Sequence, residues 1–143
     1  MKNQGFNYNK DFEVRDRLIF NRVGDYSEGG TEYFEDLTPE KLKQLVELKF
    51  ANPEDEKNCA PSIAEFIERT EKWQEQYPEL QITFNGYTVS PEREDYQITV
   101  DAVIFQHPTD FEKSWLIELI RFIGSFSPDE IKIESDYCYL WWD

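Results

Sequence analysis

The chain has 143 residues, of which 39% are hydrophobic and 16% aromatic, and its 30 acidic and 15 basic residues give a net charge of −15. The aromatic content excludes an intrinsically disordered chain, and the length suits one domain, so we expect a single domain over residues 1–143. The acidic excess disfavours binding to nucleic acids or anionic membranes, because both carry negative charge that this chain repels. The same field attracts basic proteins, although such acidity also serves solubility alone.

We expect neither a signal peptide nor a membrane-spanning segment. Residues 1–10 lack the apolar stretch of a signal peptide, and no apolar run approaches the ~20 residues of a membrane span. Two cysteines, Cys59 and Cys138, are too few for a disulfide scaffold, so we expect them to be packing residues. Together these features predict a cytoplasmic protein.

The N-terminal third predicts one strand and one helix. Residues 1–11 are polar, and we expect them to be loose. The β-branched and aromatic residues near Leu18–Val23 favour a strand, and the glycines and acids of residues 24–36 favour a loop. A helix is expected to follow, with Thr38 as its N-cap and Pro39 at its first position.

A second helix is predicted more clearly. Ser62 and Glu65 have the spacing of a capping box, and Pro78 ends the segment. Between these limits, large side chains recur at helical spacing on one stripe: Ile63, Phe66, Ile67, Thr70, Trp73 and Tyr77.

In the second half of the chain, apolar and polar residues alternate with a period of two. Residues 80–90 and 95–106 predict a β-hairpin with one apolar face, formed in the second strand by Tyr96, Ile98, Val100, Ala102 and Ile104. Residues 109–126 predict a third helix with a capping box from Thr109 to Glu112. Its apolar arc is wide, so we expect it to be the most buried helix. Residues 131–142 return to strand, either as a hairpin turning at Ser135–Asp136 or as one bent strand.

These elements follow the order β-α-α-β-β-α-β(β). That order predicts an α+β fold in which an antiparallel sheet of four to five strands carries about three helices packed on one face. The opposite face of the sheet then becomes the candidate functional surface.

The aromatic residues near the end of the chain supply that surface. In a strand, Cys138, Leu140 and Trp142 point towards the helices, and their neighbours point away with Thr99, Asp101 and Val103. Tyrosine and tryptophan are common anchors of protein interfaces. The predicted partner-binding residues are the outward aromatics and nearby carboxylates: Tyr137, Tyr139, Trp141, Asp101, Glu134, Asp136 and Asp143. The alternative is that a loop or the N-terminal segment covers this face and the aromatics belong to the core.

Motifs for catalysis or cofactor binding are missing. The single histidine, His107, lies between a strand and a helix without a local nucleophile, and one histidine with two distant cysteines cannot form a structural zinc site without carboxylates. Neither a P-loop nor a dinucleotide-binding glycine motif occurs. We therefore expect no catalytic residue, cofactor or metal, and no enzymatic activity.

The leading functional hypothesis is a small acidic protein-binding domain. Its most concrete version is an immunity-type inhibitor of a basic bacterial toxin such as a nuclease, because carboxylates and aromatic anchors complement a phosphate-binding surface. The alternatives are an accessory or scaffold domain and a small-ligand-binding domain without catalysis. A scaffold should present a broad apolar patch, and a ligand binder a deep apolar pocket. The sequence leaves the partner and the oligomeric state open.

Overall fold

A computed structural model of the chain describes residues 5–26 and 30–143. Their elements in chain order are α1 (Phe12–Phe20), β1 (Thr31–Leu37), α2 (Pro39–Glu47), α3 (Ile63–Gln76), β2 (Gln81–Val89), β3 (Ile98–Gln106), α4 (Lys113–Phe126), β4 (Glu130–Glu134) and β5 (Tyr137–Trp141). The strands form one antiparallel sheet in the order β1-β2-β3-β5-β4. The predicted α+β class is therefore confirmed, with five strands.

The first strand lies later in the chain than predicted. The segment Leu18–Val23 is not a strand, because residues up to Phe20 belong to α1, whose N-cap Asp11 accepts a hydrogen bond from the Val14 N–H. The strand β1 instead occupies the last six residues of the predicted loop and ends at Leu37, one residue beyond it. Its buried residues Phe34 and Leu37 face the core, while Glu35 and Asp36 occupy exposed positions.

A buried ion pair explains how α1 is held. The guanidinium Nε of Arg15 donates to Asp16 at 2.9 Å, and both side chains are fully buried. Arg15 also donates to the Val89 carbonyl at the end of β2, and Asp16 accepts from the Gly24 N–H and the Tyr26 hydroxyl. Every charge of the pair thus has hydrogen-bonding partners, which a buried pair requires.

The described part of the segment expected to be loose, residues 5–11, contacts the rest of the protein. The Asn9 side chain donates to the Leu48 carbonyl at 3.0 Å, and the Asn9 carbonyl accepts from the Tyr96 hydroxyl at 2.9 Å. Tyr8 meets the same Tyr96 ring edge to face, with ring centroids 5.9 Å apart. These contacts join the segment to the C-terminal end of α2 and to the β2–β3 hairpin.

Two of the three predicted helix starts are confirmed. The Thr38 hydroxyl caps α2 at the Lys41 N–H, and the Ser62 hydroxyl caps α3 at the Glu65 N–H. The capping box from Thr109 to Glu112 is wrong. The helix α4 begins at Lys113, and its N-cap Glu112 makes no side-chain capping bond.

The core lies between α2, α3 and α4 and one face of the sheet, called here the inner face. Trp115, Leu119 and Phe122 of α4 are each 2% exposed, as predicted, and Trp115 packs against Phe105 of β3 and Trp73 of α3. The expectation that α4 is the most buried helix is nevertheless wrong. Three of its other apolar residues are about half exposed: Leu116, Ile117 and Ile120.

A β-bulge divides β3 into two halves. Gly86 pairs with Val100 and Asn85 pairs with Ala102, so Asp101 has no partner on β2. The extra residue reverses the alternation, so beyond the bulge Val103 and Phe105 face the core. The prediction that Ala102 and Ile104 lie on the inner face and Val103 on the outer face is therefore wrong.

Gly86 is the residue that permits this bulge. A Cβ atom on Gly86 would lie 1.9 Å from the Thr99 carbonyl oxygen and 2.8 Å from Cζ of Phe34. The backbones of β2 and β3 thus approach each other where only glycine fits.

The end of the chain forms the hairpin alternative of the prediction, with β4 and β5 joined through Ser135–Asp136. Cys138, Leu140 and Trp142 are buried on the inner face. The Trp142 indole donates to the Phe126 carbonyl at 2.8 Å and so ties the C-terminal end of α4 to the sheet.

Candidate functional site

The candidate site is the face of the sheet opposite the helices, called here the outer face. Within the described residues, no helix covers it. The strand β5 contributes Tyr137, Tyr139 and Trp141, which are all partly accessible. They stand beside Gln106, Ile104 and Ala102 of β3, respectively, and on their other side beside residues of β4. Ala102 and Ile104 are buried, which indicates that the neighbouring large side chains shield the strand.

Asp101 lies beneath these aromatics and not at their rim. It is 5% exposed, and burial raises the pKa of its carboxyl above the usual value, while hydrogen bonding from Trp141 and attraction by Lys57 lower it. A bulge residue in the interior of a sheet lacks a partner on the neighbouring strand. At this position Asp101 also carries a carboxyl group, and burial disfavours the charged form of that group. Such a costly residue on an accessible face marks a candidate site.

Two tyrosines that the sequence prediction missed extend the outer face across β1 and β2. Tyr33 is 70% exposed, and its ring centroid lies 5.8 Å from that of Tyr87. The loop between α2 and α3 brings Lys57 over the Tyr87 ring, with Nζ 5.5 Å from the centroid. Tyr33 was missed because its strand was read as a loop. Its position next to Phe34, which faces the core, is the signal that could have found it, because adjacent residues of a strand point to opposite faces.

An acidic groove adjoins the aromatics at one end of the outer face. It has a volume of about 750 Å³ and is lined by Glu79, Gln81, Gln106, His107, Pro108, Glu134, Asp136 and Tyr137. Three carboxylates and two side-chain amides can accept hydrogen bonds from a lysine or arginine side chain, and the carboxylates can neutralise its charge. We call this feature the end groove.

The predicted acidic residues divide between the two ends of β5. Glu134 pairs with Tyr137 across the hairpin, and Asp136 occupies the turn, so the structure brings these three together at the end groove. Asp143 lies beyond the opposite end of β5, where its N–H donates to Asp129 and its carbonyl accepts from Asn58. Asp143 and Asp136 therefore do not form one cluster.

The tyrosine hydroxyls of β5 remain protonated to higher pH than usual. Partial burial is the largest cause for both Tyr137 and Tyr139 and raises their pKa; nearby carboxylates act in the same direction, while Lys132 lowers the pKa of Tyr137. Like any protonated tyrosine hydroxyl, both can donate as well as accept hydrogen bonds at neutral pH.

The remaining reactive side chains have structural surroundings. His107 stacks on Phe111, with ring centroids 4.8 Å apart, and its backbone N–H donates to the Asp136 carbonyl. Burial raises the pKa of the Cys138 thiol to about 12, which makes it a poor nucleophile. Cys59 is exposed, and the expectation that it packs in the core is wrong. In the described part of the chain, no cluster of three or more His, Cys, Asp or Glu side chains could hold a metal ion.

The fold and the outer face together define an α+β domain with an open antiparallel sheet, helices on one face and tyrosines and tryptophan among carboxylates on the other. No protein-family model matches the sequence, and comparisons with curated proteins and with solved structures give no match. Among the helices in residues 5–26 and 30–143, none has both the length and the apolar character needed to cross a membrane.

Proposed function

We propose that the protein is a small acidic protein-binding domain whose outer face docks a basic protein. The observation that carries the proposal is the adjacency of partly accessible aromatics on β5 and the end groove with its carboxylates Glu79, Glu134 and Asp136. Aromatic side chains contribute binding energy by burial, and carboxylates around them steer a basic partner and select against acidic ones.

Its most concrete form is an immunity-type inhibitor of a basic toxin. A nuclease carries a positively charged active site because it binds phosphates, and an acidic surface with aromatic anchors competes for that site. The C-terminal half strengthens the case, since residues 78–143 hold 13 of the acidic residues and only 4 basic ones. A cytoplasmic location fits, because an exposed free thiol at Cys59 suits a reducing compartment.

The test begins with the product of a neighbouring gene as the partner. Binding is measured by stopped-flow and surface plasmon resonance over a range of salt concentrations, together with protection of cells that express the partner. Asp136→Lys should slow association mainly at low salt, where charges are least screened. Tyr139→Ala should speed dissociation at every salt concentration, by about tenfold or more if Tyr139 is an anchor.

Matched variants separate the proposed site from general effects. Glu47→Lys makes the same charge change in the last turn of α2, away from the outer face, and should leave association nearly unchanged. Tyr139→Phe retains the ring and should retain most of the slow dissociation. Equal effects of Glu47→Lys and Asp136→Lys would show that net charge alone governs binding and would contradict the proposed site.

One observation favours the second candidate, an accessory or scaffold domain. The helix α4 and the edge strand β4 expose large apolar side chains outside the outer face: Leu116, Ile117, Ile120, Ile131 and Ile133. A surface of this kind associates with other protein surfaces.

A further inference from the structure

Exposed apolar residues are concentrated at one place on the inner side of the sheet. Among the described residues, eight large hydrophobic side chains are exposed, and five of them lie on α4 and β4. These five define the α4–β4 patch: Leu116, Ile117, Ile120, Ile131 and Ile133. Leu116 and Ile133 line the same groove of about 290 Å³ between the helix and the β4–β5 hairpin, so the two parts of the patch are contiguous.

The strand β4 is also an open edge of the sheet. It is last in the strand order, and all five of its residues are exposed. The Trp142 N–H donates to the Asp101 carbonyl, so the backbone of Trp142 is directed towards β3. Because this direction alternates along a strand, the even-numbered residues 138–142 form backbone hydrogen bonds with β3, and the odd-numbered residues 137–141 form them with β4. The β4 residues opposite them are Glu130, Lys132 and Glu134. The backbone groups of Ile131 and Ile133 consequently point outward, and they can pair with another strand.

We propose that the α4–β4 patch is a homodimer interface in which the β4 strands of two copies pair antiparallel and extend the sheet. A two-fold axis perpendicular to the sheet then places the two α4 helices on the same side, where Leu116 and Ile120 of each copy meet those of the other. The apolar contacts of this interface lie on the helix side of the sheet and involve none of the aromatics of β5; of the end-groove residues, Glu134 alone lies on β4. The dimer goes beyond the proposed function, and its test does not depend on the binding of a basic protein.

The sequence of β4 is complementary to itself in charge. The strand reads Glu130-Ile131-Lys132-Ile133-Glu134. When the two-fold axis passes through Ile131 or Ile133, Lys132 of each copy stands opposite Glu130 or Glu134 of the other, and isoleucine meets isoleucine at the axis. When the axis passes through Lys132, lysine faces lysine and glutamate faces glutamate, which is unfavourable. A second copy therefore fits this edge in two registers and is rejected in the third.

The size of the patch also suits a second copy. Each of the five side chains is exposed by 46–59%. A specific interface requires about 1,000 Å² of buried surface in total, and the strand edge and the adjoining face of α4 add to the area that these side chains offer. The net charge of −15 opposes association of two copies, but salt screens this repulsion over a distance that falls from about 30 Å at 0.01 M to about 3 Å at 1 M.

Sedimentation velocity over a micromolar concentration series tests the proposal. The wild type should approach twice the 17.1 kDa of one chain, and its dissociation constant should fall by about tenfold as salt is raised, because repulsion is screened while apolar burial is retained. Ile131→Glu and Ile120→Glu should each remain at the mass of one chain. Val14→Glu, a matched change of an exposed residue on α1, should leave the dimer intact.

Circular dichroism verifies that each variant folds, and Ile120→Glu places a good helix former at an exposed helix position, so at least one variant reports on association alone. A wild type at the mass of one chain at every concentration in high salt would overturn the proposal. Dimers that persist in both Ile131→Glu and Ile120→Glu would overturn it as well.

Cysteine crosslinking tests the register in a Cys59→Ser background. Directly opposed residues of a hydrogen-bonded antiparallel pair have Cα atoms about 5.5 Å apart, which is a distance that a disulfide spans. With oxidised glutathione as the oxidant, one of Ile131→Cys and Ile133→Cys should form a covalent dimer rapidly, and Lys132→Cys should not. Equal crosslinking of all three variants would contradict the pairing.

Discussion

Asp101 is a residue of the candidate site whose buried carboxyl group lowers the stability of the fold at neutral pH. Its carboxyl is buried under aromatic side chains on the outer face, and that burial raises its pKa above the ordinary value of 3.8. A raised pKa means that the folded protein binds this proton more tightly than the unfolded chain does. The contribution of Asp101 to stability is therefore present at low pH, and it is lost as pH rises from 3.8 through the folded-state pKa.

Asp101→Asn should remove this loss. The melting temperature of the variant relative to the wild type should rise as pH is raised from below 3.8 to neutral, because only the wild type then deprotonates a buried group. Thermal unfolding of both proteins over a pH series measures the difference. Asp136→Asn removes an exposed carboxyl and serves as the control for loss of charge. A difference between Asp101→Asn and the wild type that does not depend on pH would contradict the argument.

At the scale of elements, α4 has two apolar faces with different roles. One face carries Trp115, Leu119 and Phe122 into the core, and the other leaves Leu116 and Ile120 accessible. A helix packed against a single sheet face normally exposes polar residues on its other side. The second apolar face is the part of α4 that the proposed dimer would bury.

Substitutions on the two faces should have very different effects on folding. Trp115→Ala should lower the free energy of unfolding by roughly 3–5 kcal/mol, because it opens a cavity among the rings of Trp73, Tyr77 and Phe105. Leu116→Ala, one residue along, should change it by less than about 1 kcal/mol. Chemical denaturation of both variants provides the measurement. Similar losses would contradict the assignment of the inner face.

The sequence predicted the elements whose local signals agree with each other. Thr38 and Ser62 combine a capping side chain with a clear helical period after it, and both helices begin there. The segment before Phe20 lacks such agreement, because adjacent apolar residues fit a strand and a helix equally well. Its helix is fixed by the buried Arg15–Asp16 pair, a contact with distant residues that local patterns cannot predict.

The candidate site was predictable in part for the same reason. The alternation of residues along β5 correctly predicted that Tyr137, Tyr139 and Trp141 lie on the outer face, because that strand is regular. Alternation along β3 failed beyond Asp101, since a bulge adds one residue without any local signal.

For the whole molecule, the acidic field makes a prediction about nucleic acids. With a net charge of −15, the protein should show no band shift with DNA or RNA even at low salt, where non-specific binding is strongest. An electrophoretic mobility assay at micromolar protein tests this, with a basic protein of similar size as the positive control. Saturable binding would contradict the charge argument.

Asp101 can also be considered as an insertion into an otherwise regular strand. Without it, Ile98, Val100, Val103 and Phe105 would alternate without interruption along the inner face, as they already do on either side of the bulge. The residues that β3 contributes to the inner face would therefore be the same with or without Asp101. Deleting it would restore continuous pairing with β2 and would eliminate a carboxyl from beneath Trp141. The side chain of Asp101 therefore acts on the outer face, where its carboxyl accepts a hydrogen bond from Trp141, and it does not alter which residues of β3 reach the core.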